Sequence, residues 1–301
     1  MLYEVIHRTL YDYSAQVTVS HHAARLMPRE RPGQELLSFD LSISPRPTVR
    51  RERTDFFGNG VTFFALQEVH DRLEVTARAH VRMQSREMPA LGLSPAWESV
   101  AALFSDPVSP KVVDAYQFVF HSPLVRTAPD IADIARSCFP PGRPLQEAVF
   151  ALNHLIHREF VFDPEATTVA TPLEEVLKNR RGVCQDFAHI GIACLRSLGL
   201  PARYVSGYIR THPPEGQERL RGADASHGWF AAYCPELGWL DFDPTNDKIP
   251  DHEHIAVAYG RDYTDVAPLS GILTGGAQHE LKVEVDVLEL PAETICGSES
   301  L

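Results

Sequence analysis

The sequence predicts an α+β protein: a small all-β region at the N-terminus, then a region of helices with a central amphipathic helix followed by strands. Three observations carry this. Leu73, Val75, Ala77, Ala79, Val81 and Met83 alternate with their neighbours as the inward face of a half-buried strand does. Val183, Phe187, Ile190, Cys194 and Leu198 recur at steps of three and four, which sets them on one stripe of a helix. Strand-like runs then follow that helix, at Ala202 to Ile209, Trp229 to Tyr233 and Trp239 to Asp243.

Taken in order, Leu37, Phe39, Leu41 and Ile43 form a first alternating strand. Phe56-Phe57-Gly58-Asn59-Gly60 supplies a turn between Arg51-Glu52-Arg53 and the apolar run Val61 to Leu66. The result is a small antiparallel sheet or sandwich over residues 1–90. The proline-rich stretch from Met88 to Pro110 breaks the alternation and marks a domain boundary, with the core over 91–301. Pro144 to Phe160 carries Leu145, Val149, Leu152, Ile156 and Phe160 on one helical face. Thr171-Pro172-Leu173-Glu174 has the form of a capping box opening a short helix. Gly199 and Pro201 end the central helix, because glycine takes the left-handed cap and proline cannot continue the helix. Thr211 to Asp224 reads as a surface loop, and Leu281, Val283, Val285 and Val287 as a last strand before ten frayed residues.

The 301 residues are 44% hydrophobic and 23% charged, the make-up of a globular domain or two. The net charge of −12 argues against general nucleic-acid binding, which needs a basic face. No apolar run reaches the roughly eighteen residues of a membrane span. The first residues lack the basic and apolar regions of a signal peptide. Five cysteines without framework spacing point to reduced thiols and a cytoplasmic setting.

The chemistry centres on Cys184, in the first turn of the central helix. Free N–H groups and the helix dipole there favour a negative charge, an environment that activates thiols. Such a nucleophile needs a histidine as base and a third group to orient it. His227 opens one strand and Asp243 closes the next, with the short Cys234–Gly238 loop between them. The two residues are symmetric about residue 235, so a hairpin centred there sets them directly opposite each other. Asp241 shares the face of Asp243; the same symmetry favours Asp243.

GVCQDFAH, GLPARYVSGY, ASHGWF and GWLDFDPTN occur in this order and resemble the transglutaminase-like superfamily, in a bacterial branch often labelled cysteine protease. FVFDPEATTVATPLEEVLKNRRG and HIAVAYGRDYTDVAPLSG are also similar to this family, and YEVIHRTLYDYS resembles its accompanying β domain. The resemblance spans almost the whole chain. It departs at Gly228, where the family often has alanine. It implies a papain-like core and a triad of Cys184, His227 and Asp243. The implied activity is acyl transfer on peptide or glutamine-type amides through a thioester, with a protein or peptide as substrate. No metal or other cofactor is required. The oligomeric state cannot be read.

Other residues have plainer readings. Cys194 is on the apolar stripe, about 15 Å along the helix from Cys184, and reads as core; Cys138, Cys234 and Cys296 have no catalytic context. His21 and His22 read as a polar edge or a buried pair, and His252 and His254 as part of a solvated stretch more readily than as metal ligands. Asp186 and His189 on the nucleophile helix could support the site or the fold. Asp224 could meet a substrate amine. Trp229 and Trp239 read as hairpin core. A non-catalytic binding module with the same fold is the alternative reading.

Overall fold

In a computed structural model, residues 1–85, 91–105, 110–211 and 225–291 are described. The expected loop at 211–224, Asp224, Cys296 and the last ten residues lie wholly or almost wholly outside them.

Thirteen strands and seven α-helices are seen among the described residues. The N-terminal strands are β1 (Leu2–Ala24), β2 (Gln34–Ser44), β3 (Val49–Thr54), β4 (Gly60–Leu66) and β5 (His70–Met83). The core brings α1 (Trp97–Leu103), α2 (Pro110–Tyr116), α3 (Pro129–Cys138), α4 (Leu145–Glu159), β6 (Val161–Phe162), α5 (Leu173–Asn179), β7 (Arg181–Gly182) and α6 (Cys184–Ser197). Then follow β8 (Ala202–Ile209), β9 (Ala225–Cys234), β10 (Gly238–Phe242), β11 (His254–Gly260), α7 (Tyr263–Val266), β12 (Leu269–Gly275) and β13 (His279–Leu290).

β1 is the spine of a seven-stranded antiparallel sheet. β5 and β4 pair along one side of it, and β13 and β12 along the other. The expected last strand therefore closes the chain back onto its first. The alternation in β5 is real: Leu73, Val75, Ala77, Ala79, Val81 and Met83 are all buried. Tyr3, Val5, Val81, Met83, Val285 and Val287 continue into the same apolar core as α4, α6 and β8, so the two regions share an interior.

The second sheet runs β10-β9-β8-β11, all antiparallel, with α6 packed on one face. This is the α+β, papain-like arrangement the sequence predicts. The close approach is visible at Gly191, where an added Cβ would sit 2.6 Å from the Phe230 ring. Every residue of α6 from Gln185 to Arg196 is buried. Gly199, at φ 75°, takes the left-handed conformation just past the helix. Buried Arg196 ties that end down, donating to the carbonyls of Phe118, Ala202 and Arg261 and to Ser122 Oγ. No helix among the described residues is long and apolar enough to cross a membrane.

The capping box expected at Thr171–Glu174 does not form. α5 begins after Pro172 with no side-chain cap, and Thr171 Oγ1 instead accepts from the Thr168 N–H at 2.9 Å. Threonine can satisfy a local turn as readily as a helix start, and here the turn wins.

Candidate active site

Cys184 is the first residue of α6, half-buried, with a free thiol. The helix start is built by Asp186 at the third position. Its Oδ2 accepts from the Val183 N–H at 2.8 Å and from the Thr167 hydroxyl at 2.6 Å, while its own N–H donates to the Val183 carbonyl. Gly182 makes room for this cap, since a Cβ there would meet Asp186 Oδ2 at 2.6 Å. Asp186 is therefore a structural cap on α6. No described hydrogen bond uses the Cys184 N–H, one of the first-turn donors a helix leaves over.

His227 is on β9 and Asp243 just past β10, 7% and 0% exposed. His227 Nε2–H donates to Asp243 Oδ2 at 2.8 Å. The other ring nitrogen, Nδ1, is not engaged by Asp243, and Cys184 is close enough to the ring to raise its pKa. The hairpin brings His227 and Asp243 together, but its register differs from the symmetric expectation. Cys234 pairs with Gly238 and Phe230 with Phe242, so the hairpin centres on residue 236. Continued one residue further, this register faces Asp243 toward Trp229, diagonal to His227. The shift is two residues, so the face is unchanged and the diagonal pair still meets. Asp241, which the register sets opposite Ala231, turns instead to an ion pair with Arg31.

A tight turn fixes Asp243. Its backbone exchanges two hydrogen bonds with Lys248, its Oδ1 accepts from the N–H groups of Thr245 and Asn246, and its Oδ2 accepts from the Asn246 side-chain amide at 2.7 Å. A further donor to Oδ2 is His254 Nε2–H, at 3.1 Å. His254 is 1% exposed, at the start of β11, and not in a solvated stretch. The overlooked signal is the apolar run that follows it, HIAVAYG, which is entirely buried strand. Trp229, fully buried, packs its ring against His227 and His254, so it walls this pair as well as filling the core.

The electrostatics follow from these contacts. Burial alone would lower the pKa of His227; hydrogen bonds to Asp243 and Cys184 and their negative charges override it and raise it to about 10. Burial would raise Asp243, but hydrogen bonds from His227 and His254 hold it well below the usual carboxylate range. Burial pushes the thiols of Cys138, Cys194 and Cys234 up, which keeps them as neutral core groups. His22 is also a core residue, stacked on Phe64.

His227, Asp243 and His254 offer ligand atoms within 4.8 Å of one another, close enough to chelate a cation. Their hydrogen bonding favours another reading. Three N–H donors, from His227, His254 and the Asn246 amide, converge on one carboxylate oxygen. Behind the sheet, a cavity of about 360 Å³ is lined by Arg31, Arg203, Trp239, Asp241, Asp251 and Tyr259; Cys184, His227 and Asp243 do not line it.

A helix packed on an antiparallel sheet that carries a buried histidine–carboxylate pair defines a papain-like fold. Residues 3–82 match the bacterial transglutaminase-like N-terminal region, and residues 132–244 match the transglutaminase-like superfamily. Uncharacterised proteins of Mycobacterium tuberculosis and Mycobacterium bovis are 37% identical over 299 residues, covering 97% of this chain and 94% of theirs. A protein-glutamine gamma-glutamyltransferase of Pseudomonas aeruginosa is 31% identical over 147 residues, 46% of this chain and 22% of that protein. The crystal structure of a candidate cysteine protease from Cytophaga hutchinsonii superposes with a TM-score of 0.75 at 22% identity, covering 97% of this chain and 92% of that one. The chain belongs to the bacterial transglutaminase-like superfamily.

Proposed function

We propose that the protein is a thiol-dependent acyl-transfer enzyme in which Cys184, His227 and Asp243 act as a triad on peptide or glutamine-type amides. The observation that carries this is the buried 2.8 Å hydrogen bond from His227 Nε2–H to Asp243 Oδ2, which leaves the other ring nitrogen available to a thiol, with Cys184 near enough to raise the pKa of the ring.

In this reading the proton of the Cys184 thiol resides on His227 Nδ1. The thiolate sulfur attacks the amide carbon and forms the C–S bond, and the carbonyl π electrons move to oxygen. The Cys184 N–H, a first-turn donor of α6, is available to that oxyanion. The oxyanion collapses, the C–N bond breaks, and His227 gives its proton to the departing nitrogen, which leaves as ammonia or an amine. The thioester then passes its acyl group to water or to a second amine, with His227 taking and returning the proton. Asp243 keeps its negative charge throughout and fixes the imidazole in the tautomer that presents Nδ1 to sulfur.

The family membership and the glutamyltransferase relative support a carboxamide as the group attacked. The substrate proposed is a protein or peptide, and no metal or cofactor takes part. The described cysteines are all free, which suits the reducing cytoplasm; fractionation of cells into periplasmic and cytoplasmic pools tests that placement.

The test of activity uses glutamine-containing peptides and measures ammonia release together with incorporation of a labelled primary amine. Turnover by the wild type that is lost in Cys184→Ala and His227→Ala supports the triad. Release without incorporation assigns a hydrolase, and incorporation assigns a transferase. Binding of such peptides with no turnover would instead favour a non-catalytic module.

A further inference from the structure

Asp243 serves two histidines, and the triad reading uses one of them. We propose that His254 is a positioning residue: it holds Asp243 against His227, and its charge, governed by Asp251, sets the pH window of the Cys184–His227 pair. This inference rests on the proposed role of that pair.

The geometry is a run of hydrogen bonds from Asp251 through His254 to Asp243, bent at Asp243 where His227 joins it. Asp243 Oδ2 receives His227 Nε2–H at 2.8 Å and His254 Nε2–H at 3.1 Å, and all three side chains are almost fully enclosed. The far nitrogen of His254 has two neighbours on one residue: Asp251 Oδ1 at 3.3 Å and the Asp251 backbone N–H at 3.4 Å. Neutral His254 can accept from that N–H, while protonated His254 can donate Nδ1–H to the carboxylate. In both states Nε2–H remains on Asp243. Gaining or losing the proton therefore changes the charge beside Asp243 without breaking its hydrogen bond.

The ionisable groups facing His254 are Asp243, His227 and Asp251; its pairing partner on β8 is Ile209, and the Trp229 ring covers it edge-on. Burial pulls the His254 pKa down, but the hydrogen bonds to Asp243 and Asp251 override this and raise it, while the charge of His227 opposes. Two histidines thus compete for one carboxylate, and a proton on either weakens the hold on the other. A cation at His254 favours the anionic sulfur of Cys184, so it moves the pair's working range to lower pH. Asp251 is partly exposed and lines the cavity behind the sheet, which connects this control to solvent away from Cys184.

The test measures the rate of Cys184 alkylation by iodoacetate from pH 5 to 10, read by peptide mass spectrometry, in the wild type, His254→Gln and His254→Phe. The anionic reagent needs both a thiolate and a protonated His227, so the rate is bell-shaped in pH. Glutamine keeps an N–H for Asp243 but carries no charge. His254→Gln is expected to keep the maximal rate within about threefold and to move the acid limb up by about half a pH unit or more. His254→Phe is expected to lose tenfold or more of the maximal rate. A purely structural role would lower rates at every pH without moving either limb, and that result overturns the inference, as do wild-type profiles in both variants. If His254→Phe does not fold, judged by circular dichroism, the limb positions of His254→Gln decide alone. A wild-type Cys184 with no bell would remove the Cys184–His227 pair itself, and this inference with it. A wild-type bell with unmoved variants would remove only the role of His254.

Discussion

Two buried histidines in this molecule carry opposite charge preferences. His189, in the middle of α6, is 3% exposed; His227, on β9, is 7% exposed. Burial lowers the pKa of His189 to about 4, with the charge of Asp262 opposing and that of Arg196 assisting. His227 is raised to about 10. The difference lies in hydrogen bonding. His189 Nε2 accepts from the Tyr263 N–H at 3.2 Å, so its neutral form is the one the fold satisfies. The Asp262 carboxylate near it is already engaged by Thr264 and by the Leu124 N–H. His227 donates directly to a carboxylate that has no other cation of comparable closeness except His254. Enclosure sets the cost of a charge, and a bonded counter-charge decides whether the cost is met.

The largest way to break this contrast is Asp243→Asn. It makes the surroundings of His227 resemble those of His189, a buried ring with no carboxylate hydrogen-bonded to it. Turnover is expected to fall by about 10⁴-fold, the scale found when a triad carboxylate becomes an amide, and alkylation of Cys184 at neutral pH to fall with it. Steady-state assays beside a thermal melt would separate this loss from unfolding.

The two histidines also predict opposite pH dependence of stability. His227 is raised, so its contribution is complete below about 6.5 and lost as pH rises through about 10. His189 is lowered, so its contribution is complete above about 6.5 and lost as pH falls toward about 4. Melting temperatures across pH 4 to 10 should show the alkaline decline shrink in Asp243→Asn and the acid decline shrink in His189→Gln. If His189→Gln altered the pH profile of Cys184 alkylation, the separation of the two regions would be wrong.

A smaller effect comes from Gly191→Ala. The new methyl meets the Phe230 ring, so it should cost about 1–3 kcal/mol of stability by overpacking between α6 and β9. The smallest is Cys194→Ala, a fully buried thiol whose loss leaves a small void. It is expected to cost about 1–2 kcal/mol and to leave Cys184 reactivity unchanged.

Much of this was legible in the sequence because it depends on local pattern. The apolar stripe of α6, its glycine stop and the strand from Ala202 to Ile209 are all set by neighbours a few residues apart, and they stand where the periodicity puts them. The hairpin was legible as a shape but not in register. Gly238 adopts φ 74° and starts β10 in the left-handed region, which moves the centre of the turn from residue 235 to 236. A one-residue change in the turn shifts pairing by two, and only that even number preserves the face shared by His227 and Asp243. His254 was the harder case. Its neighbours Asp251, His252 and Glu253 are polar, and its burial comes from β8 and Trp229, which are distant in sequence. The Asp186 cap has the same origin in part: the spacing from Val183 was visible, but the Thr167 hydroxyl that completes it comes from a separate turn.

A pKa raised at His227 and lowered at His189 puts a proton on both nitrogens of the first ring and on one nitrogen of the second near neutral pH. Long-range ¹H–¹⁵N correlation spectra of the imidazoles at pH 7.5, assigned with His227→Gln and His189→Gln, measure this directly. The expected result is an imidazolium signature for His227 in the reduced wild type, a shift of its titration to lower pH in Cys184→Ala, and a neutral Nδ1–H ring for His189 in both. A neutral His227 at that pH in the wild type, or a titration untouched by removing the thiol, would contradict it.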